Sequence, residues 1–347
     1  MRIASIAVRL PSLKVSNEDI VSTIALQSKT SAPDLVAKYQ KEVLSLLRKA
    51  GSRTRFFRDR TKEETALPLL KDAATAALER AGLKTSDIDL LIYCGVGRGF
   101  LEPANAYFFA DAIGLECPCF DLLDACMSWT RSLQVAYQYL ANGNLRHIMI
   151  VNAEFTVYEC GYPDIFRIRS LDDLQYLFPA FTIGEAAAAT IVSSSKDKWR
   201  FSFESLPSLA SLCSIPLNGY RDFCEVSKHV GLAGPNRFVS FGTKLFEKAI
   251  PQMMQLIRKT ISNLDNVDIW FPHIAASVPY NRVAQALGID RDRIYVSTFP
   301  DYGNLISVSI PAAMERAIDE GALRRGDSVV LCPASAGMAI AVVEFAY

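Results

Sequence analysis

Cys126 is the residue whose position says most about chemistry. It lies in the segment DLLDACMSW (121–129), where a β-rich run ends and a long amphipathic helical pattern begins. A thiol in the first turn of a helix feels the positive end of the helix dipole and nearby unpaired N–H groups, and both lower its pKa towards a nucleophilic thiolate. A buried structural cysteine fits the same position. We therefore predict a nucleophile at Cys126 and keep the structural cysteine as the alternative.

Two further polar residues occupy comparable positions. His273 follows the apolar run 267–271, and Asn304 follows Gly303 ahead of a helical pattern. Open α/β sheets build their sites at strand C-termini and helix N-termini. Taken singly, His273 also fits a packed or capping residue and Asn304 an ordinary helix N-cap. Their joint placement with Cys126 is what predicts one site.

This joint placement comes from an internal repeat, since passages from helix to strand recur in the two halves of the chain. Superposing Gly143 on Gly321, an offset of 178 residues, carries Cys126 onto Asn304. A second pair of similar segments, 87–93 and 267–271, each predicts a strand that follows a helix. His273 then lies at the end of a strand that has an equivalent in the first half. We expect Cys, His and Asn to meet on a pseudo-twofold axis.

The elements that must position these residues alternate along the chain. Apolar periodicity predicts strands near 3–8, 87–93, 118–122, 147–153, 186–193, 267–271, 327–332 and 338–345. It predicts helices near 17–27, 33–48, 64–81, 104–113, 126–142, 238–264, 277–287 and 305–320. Such alternation is typical of a layered α/β protein. We expect an N-terminal half over 1–195, with the cysteine, and a C-terminal half over 196–347, with the histidine and asparagine.

Composition excludes several classes of function. The chain has 347 residues, of which 50% are hydrophobic, and its 37 basic residues balance 37 acidic ones without a basic groove or acidic tail. Nucleic acid is therefore not an expected partner. The N-terminal apolar run ends at Arg9 and Pro11, too early for a signal peptide, and no other run approaches a membrane span. We expect a cytoplasmic protein.

The eight cysteines are scattered along the chain and are expected to be reduced thiols. Cys117 and Cys119 form the one close pair, and the three histidines do not stand at ligand spacing. We expect no metal. Residues 95–99 (GVGRG) follow a strand and suggest a dehydrogenase nucleotide loop, but the third glycine is not at the required spacing and Pro103 interrupts the helix.

The motifs together resemble a family, the thiolase-like condensing enzymes, and in particular the β-ketoacyl-ACP synthase III group. The Cys126 segment is similar to the group's Phe-Asp-x-x-x-Ala-Cys box, residues 271–273 to its strand-ending Pro-His, and residues 302–304 to its Gly-Asn helix start. Residues 52–58, with Arg55, resemble its Gly-Ile-x-x-Arg segment. The resemblance covers nearly the whole chain. It implies a thiolase-like fold of five layers, αβαβα, built from two duplicated halves.

The resemblance also implies roles. Cys126 would take an acyl group from an acyl-CoA or acyl carrier protein thioester, and His273 with Asn304 would stabilise the enolate of a second thioester. The backbone N–H groups of Cys126 and Gly337 would form the oxyanion hole. Arg55 would lie near the entrance for the thioester donor. The family implies a homodimer and thioester substrates without a cofactor.

The chain departs from the family's pattern at three places. The usual His-Gln-Ala-Asn is here His273-Ile274-Ala275-Ala276, which removes polar support from that turn. The Gly-rich C-terminal turn is shortened to residues 334–337. An extra helix over 33–48 precedes the Arg55 segment, where we expect it to reshape the substrate entrance.

Glu102 is the proposed base for a donor that is not decarboxylated. Residues 100–104 resemble the segment that, in head-to-head condensing enzymes of bacterial olefin biosynthesis, delivers a Glu into the partner subunit's acyl channel. A carboxylate of ordinary pKa, about 4.3, is a weak base for carbon acids, so burial near Phe100, Phe108 and Phe109 would have to raise it. We also expect Phe108 and Phe109 to shape the channel. The alternative is a surface Glu that caps the following helix.

The sequence thus predicts a homodimeric ketosynthase that joins two acyl thioesters by Claisen condensation, in fatty acid-like, specialised lipid, polyketide or pyrone biosynthesis. Two alternatives stay open. Acyl-Cys126 could pass its acyl group to a hydroxyl or amine, with His273 as general base. The chain could also be a supporting subunit of a ketosynthase heterodimer, although all three polar residues are retained.

Overall fold

The computed structural model describes the backbone of all 347 residues and every side chain except those of Ser277 and Val278. The strands are β1 (Arg2–Arg9), β2 (Leu13–Ser16), β3 (Thr54–Phe57), β4 (Leu90–Cys94), β5 (Cys119–Leu122), β6 (His147–Glu154), β7 (Ala186–Ser193), β8 (Arg200–Ser205), β9 (Cys213–Ser214), β10 (Val239–Ser240), β11 (Ile269–Pro272), β12 (Ser328–Cys332), β13 (Ala334–Ser335) and β14 (Ala339–Ala346). The α-helices are α1 (Asn17–Gln27), α2 (Pro33–Ala50), α3 (Ala66–Ala81), α4 (Asn105–Ile113), α5 (Ser128–Ala141), α6 (Leu174–Leu177), α7 (Gly242–Thr260), α8 (Ser277–Leu287), α9 (Phe299–Tyr302) and α10 (Ser309–Asp319).

Two mixed sheets repeat one topology. The first has the order β1-β7-β6-β4-β5, and the second pairs β8, β14, β12 and β11 in the same sense, with β13 on the end of β14. β4 is parallel to both of its neighbours, and β11 is parallel to β12. A single parallel bridge from Trp270 to Ile294 takes the position that β5 has in the first sheet. The predicted duplication is therefore confirmed at the level of strand order.

The two sheets and three layers of helices stack as five layers. α3 and α4 pack on the outer face of the first sheet, and α7 and α8 on the outer face of the second. α5 and α10 lie between the sheets, where Trp129, Leu133, Ile310 and Met314 join strands of both halves in one apolar cluster. Strands β6 and β7 are buried on both faces, so they are apolar nearly throughout rather than alternating. The predicted thiolase-like αβαβα fold is confirmed.

The repeat corrects the predicted superposition of Cys126 on Asn304. A 3₁₀ turn precedes each central helix, over Ala125–Met127 before α5 and Ile306–Val308 before α10. Matching these turns makes Ser307 the equivalent of Cys126, and Asn304 precedes its turn by two residues. The superposition on glycines was wrong at this end because α5 has 14 residues and α10 has 11.

The other predicted elements are present within a few residues of their expected bounds, with one clear exception. α7 was predicted over 238–264 but spans Gly242–Thr260, since Val239–Ser240 pairs with Cys213–Ser214 as a short strand. The expected helix near 33–48 is α2, whose Tyr39, Val43 and Leu47 are buried. No helix of the described part of the chain is long and apolar enough to span a bilayer.

Candidate active site

A cavity of about 680 Å³ is lined by all three of the predicted polar residues. Cys126, His273 and Asn304 all line it, together with mostly apolar side chains. Its size is typical of a site for a small organic molecule or long acyl chain. The structure thus brings together the residues that the sequence predicted to meet.

Cys126 is held by the 3₁₀ turn that precedes α5. Ala125, just before it, has a positive φ of 46°, which an L-residue adopts rarely. Ser335 of β13 fixes the turn, because its Oγ accepts from Met127 N at 3.2 Å and donates to the carbonyl of Asp124 at 3.2 Å. The C-terminal half therefore orients the cysteine of the N-terminal half.

The Cys126 thiol is not a preformed thiolate. Burial, followed by the nearby Cys213 and Glu154, raises its pKa well above the ordinary value for a thiol. The backbone N–H groups of Cys126 and Ala336 face the sulfur and oppose this rise, but they are the smaller effect. The expectation of a lowered pKa was wrong because desolvation outweighs the two backbone N–H groups.

His273 follows the last residue of β11, and its ring is 4% exposed. Burial alone lowers its pKa to about 4, so the imidazole is neutral at pH 7. Its Nδ1 has no hydrogen-bond partner among the side chains and backbone that the structure describes. A neutral imidazole carries one N–H and one lone pair, so His273 can donate to an oxygen or accept a proton.

Asn304 is fixed by its backbone and by its side-chain oxygen. Its N–H donates to Thr182 O at 2.8 Å, and its Oδ1 accepts from Ile306 N at 2.9 Å. Gly303, at φ 72°, lets the chain make this approach, because a Cβ there would strike the Thr182 carbonyl. With Oδ1 occupied, the two Nδ2 hydrogens remain for a ligand in the cavity.

A buried carboxyl supports the second helix start. Glu154 lies at the end of β6, and its Oε1 accepts from Ser307 N at 3.2 Å and makes a short hydrogen bond with Ser307 Oγ. Its Oε2 accepts from Val96 N at 3.2 Å. Burial raises the pKa of Glu154 to about 8. Sequence analysis missed this residue, although an acidic residue that ends an apolar strand was a signal for it.

The remaining cavity walls come from three segments. α2 contributes Leu46, Lys49 and Ala50, and the other two segments lie within 156–183 and 213–246. The extra helix therefore does line the substrate cavity. Among the polar side chains of the lining that were not singled out from sequence are Cys160 and Cys213 in these segments and Tyr280 on α8.

The predicted oxyanion hole is placed differently in part. Ala336 and Met338 line the cavity, whereas Gly337 between them does not. The N–H that faces the Cys126 sulfur is that of Ala336. Ala336 is therefore the better placed partner for the N–H of Cys126, and Gly337 stays a prediction.

Three predicted binding residues lie away from the cavity of the protomer. Arg55 is fully buried and donates to Asn17 Oδ1 and Ser52 Oγ, both at 3.0 Å. Phe109 packs inside the core of the first sheet. Phe108 is 45% exposed. Arg55 supports the β2–β3 pair instead, because burying its charge requires polar partners.

Glu102 is exposed on the loop before α4 and does not line the cavity of its own protomer. Its surroundings are unusually apolar for a surface. Leu101 is 78% exposed and Tyr107 58%, and the rings of Phe100 and Phe108 stack at 4.1 Å. We call Phe100, Leu101, Tyr107 and Phe108 the apolar patch.

The glycine-rich loop 95–99 has a structural explanation. A Cβ at Gly97 would approach the Ala153 carbonyl to 2.6 Å, so this position lies too close to β6 to carry a side chain. Val96 of this loop lines the cavity. Among the described side chains, no group of three or more His, Cys, Asp or Glu could hold a metal ion.

The fold and the site define a condensing enzyme of the thiolase-like class. The family model described as 3-oxoacyl-[acyl-carrier-protein] synthase III matches residues 120–207, and the model of its C-terminal part matches residues 257–347. Together they cover just over half of the chain. The chain belongs to the 3-oxoacyl-[acyl-carrier-protein] synthase III family.

Curated relatives agree with this assignment. The β-ketoacyl-[acyl-carrier-protein] synthase III of Clostridium perfringens is 25% identical over 284 residues, 80% of this chain and 83% of the relative. The enzyme of that name from Escherichia coli is 26% identical over 277 residues, 78% of this chain and 80% of the relative.

Solved structures share the fold. Xanthomonas campestris OleA, in crystals with bound lauric acid and lauroyl-CoA, superposes with a TM-score of 0.81 at 19% identity, covering 99% of this chain and 98% of that one. The 3-oxoacyl-[acyl-carrier-protein] synthase III of Aquifex aeolicus gives 0.79 at 22% identity, covering 100% and 99%.

Proposed function

We propose that the protein is a ketosynthase that joins two acyl thioesters by Claisen condensation in specialised lipid, polyketide or pyrone biosynthesis. The observation that carries the proposal is the meeting of Cys126, His273 and Asn304 at the wall of one large apolar cavity. Family membership and the names of the relatives support it.

The first half-reaction acylates Cys126. Its sulfur attacks the thioester carbonyl of an acyl-CoA or acyl carrier protein, the carrier thiolate leaves, and the acyl chain lies in the apolar cavity. The N–H groups of Cys126 and Ala336 stabilise the oxyanion. Because the resting thiol is neutral, its proton must leave as the sulfur attacks, and the neutral imidazole of His273 can accept it and pass it to the departing carrier thiolate, which leaves the imidazole neutral again.

The second half-reaction forms the carbon–carbon bond. The thioester carbonyl of the second substrate accepts from His273 Nε2–H and from the free Nδ2 hydrogens of Asn304, which stabilises its enolate. The enolate carbon attacks acyl-Cys126, the C–S bond breaks, and the Cys126 thiolate leaves. No cofactor takes part in either step.

We infer that the base for the α-proton is Glu102 of the partner in a homodimer. The apolar patch around Glu102 is of the kind that monomeric proteins rarely expose, and a second copy of the chain would cover it. Val96, four residues before Phe100, lines the cavity, and so does Leu123, which is 56% exposed. The division into halves at 195/196 likewise stays part of the proposal.

One observation favours a second reaction. The turn after His273 is apolar, Ile274-Ala275-Ala276, and the imidazole is neutral, as a general base for a hydroxyl or amine acceptor requires. Acyl transfer to such an acceptor is therefore the alternative product-forming step. A purely supporting subunit is disfavoured, because all three polar groups line the cavity.

Intact mass spectrometry tests the first step. The protein is incubated with acyl-CoAs of graded length, and we expect one acyl adduct that is absent in Cys126→Ala and retained in Cys213→Ala. If no acyl-CoA or acyl carrier protein gives an adduct that depends on Cys126, the proposal is wrong.

Product analysis tests the base. Glu102→Gln is expected to keep the acyl adduct and lose the carbon–carbon product, whereas the exposed control Glu116→Gln keeps both. Full product yield from Glu102→Gln would remove Glu102 from the mechanism, and an ester or amide product would favour the alternative.

A further inference from the structure

A second cavity, of about 200 Å³, lies beside the catalytic one and has no part in the mechanism above. Arginines dominate its lining, and we call Arg167, Arg169 and Arg237 with their surroundings the arginine pocket. The other polar side chains in its wall are Asp164, Asp173 and Tyr176.

The three guanidinium groups are only partly neutralised. Arg237 donates to a backbone carbonyl at 3.1 Å and stands 3.6 Å from the exposed Asp164. Arg167 donates through Nε to a backbone carbonyl at 3.1 Å. The guanidinium of Arg169 has no hydrogen-bond or ion-pair partner among the residues that the structure describes. The pocket therefore offers free N–H donors on positively charged side chains.

The carboxylate of Asp173 is already occupied. It accepts from the backbone N–H groups of Arg169 at 2.9 Å and Ser170 at 3.1 Å, and from the Tyr176 hydroxyl at 2.8 Å. Burial, together with this hydrogen bond, raises the pKa of Tyr176 to about 12, so the phenol stays a donor. With three cations against two carboxylates, the pocket has an excess of positive charge.

Several guanidinium forks in one concave site are suited to a phosphate group, whose oxygens they bind in pairs. The volume equals roughly seven water molecules at about 30 Å³ each, enough for a phosphate and the start of its substituent. We propose that the arginine pocket binds the phosphate group of an organic phosphate. The phosphate belongs either to the nucleotide end of a CoA thioester, which rests on the proposed function, or to a free organic phosphate.

The arginine pocket shares a wall with the catalytic cavity. Ile165 lines both. Arg237 lines the pocket, and the next residue, Phe238, lines the cavity. In the same way, Asp173 lines the pocket and Leu174 lines the cavity. The arginine pocket and the catalytic cavity are therefore neighbours that the Ile165 side chain separates.

Calorimetric titration with adenosine 3′,5′-bisphosphate tests the site. We expect binding to the wild-type protein, weakened about tenfold in Arg169→Ala, as for the loss of one charge-assisted hydrogen bond, and more in Arg169→Glu. Both variants should fold, since the Arg169 side chain has no partner to lose. The exposed Arg258→Ala on α7 is the matched control. Absence of binding to the wild type, or equal binding to Arg169→Glu, overturns the proposal.

Acylation kinetics identify the source of the phosphate. An acyl-CoA is compared with the same acyl chain on pantetheine, which has no nucleotide. A KM raised by Arg169→Glu for the CoA thioester alone supports CoA. Unchanged kinetics with both thioesters, alongside lost bisphosphate binding, support a free phosphate. Equal losses with both thioesters overturn phosphate recognition. Failure of the proposed function looks different: no thioester acylates Cys126, whereas the bisphosphate still binds.

Discussion

The two central helices begin with the same backbone turn, but the side chains at the second residue of that turn differ in chemistry and surroundings. α5 and α10 each follow a 3₁₀ turn whose first residue has positive φ, Ala125 at 46° and Ile306 at 53°. The second residue of the turn is Cys126 in one case and Ser307 in the other. The thiol faces a cavity, whereas the hydroxyl is buried against Glu154.

The support of each turn crosses between the halves. Glu154, at the end of β6 in the first half, binds Ser307 of the second. Ser335, in β13 of the second half, binds Met127 N beside Cys126. The two halves thus contain equivalent helix starts that differ in one side chain, a thiol that lines the cavity in the first half and a hydroxyl hydrogen-bonded to Glu154 in the second.

Replacing Cys126 by Ser makes the reactive turn chemically like its counterpart and is expected to have the largest effect. A hydroxyl is far less acidic and less nucleophilic than a thiol, so proton transfer to His273 activates it much less, and acylation should fall by at least about 10⁴-fold. Stopped-flow release of free CoA measures it. Cys213→Ser should stay near wild type; a small loss in Cys126→Ser would contradict the role of the thiol.

His273→Ala is expected to lower product formation by roughly 10²- to 10⁴-fold, the range for loss of a positioned proton-transfer or hydrogen-bonding group. Steady-state assay of the condensation product measures this effect. His229→Ala, in the loop before β10, is the control, because His229 does not line the cavity. An unchanged rate in His273→Ala would remove the histidine from both half-reactions.

Glu154→Gln tests the buried carboxyl at the second helix start through the pH dependence of stability. The pKa of Glu154 is about 8 in the folded protein and about 4.3 in an unfolded chain, so between these values only the folded state holds the proton. The free energy of unfolding therefore falls as pH rises through this range. His273, with its lowered pKa, acts oppositely below about pH 6.5.

The clean window for this measurement is therefore about pH 6.5 to 8. Thermal unfolding of the wild type should show Tm falling across it, and Glu154→Gln should flatten the slope. Glu42→Gln, exposed on α2, should keep the wild-type slope. An identical slope in Glu154→Gln would show that the buried carboxyl does not titrate there.

Ser335→Ala is expected to have the smallest effect. It removes one of the two acceptors of Met127 N, the other being Asp124 O at 2.9 Å, and one of the two donors to Asp124 O, which should lower the free energy of unfolding by about 1 kcal/mol and acylation only a few-fold. Urea unfolding with single-turnover acylation measures both. If stability falls while acylation keeps its wild-type rate, Ser335 does not orient Cys126.

Sequence predicted the layered fold, the long helices and the eight main strands, because continuous apolar runs and 3.6-residue periodicity are local signals. It missed β2 and β3, which are about forty residues apart in the sequence and pair in the region of the buried Arg55. It also missed β8, although RFSFES (200–205) alternates as a half-buried strand does.

The site was predicted as far as residue type and position in an element could take it. Cys126, His273 and Asn304 stand where strands end and helices begin, and they do meet. The thiol's raised pKa, Glu154 and Tyr280 depend on burial and on contacts between the two halves, which no local pattern encodes. Arg55 differs in the other direction. Its motif position predicted a residue near the substrate entrance, but the structure buries it away from the cavity among polar partners.

In the proposed reaction, Asn304 of the second half binds the second thioester and so acts after acyl-Cys126 has formed. The most direct test acylates wild type and Asn304→Ala with one acyl-CoA, removes excess donor, adds the second thioester and follows the acyl adduct by intact mass. We predict equal acylation of both proteins, followed by rapid loss of the adduct with formation of a carbon–carbon product in the wild type and loss at least about tenfold slower in Asn304→Ala. Equal rates of loss would contradict the account.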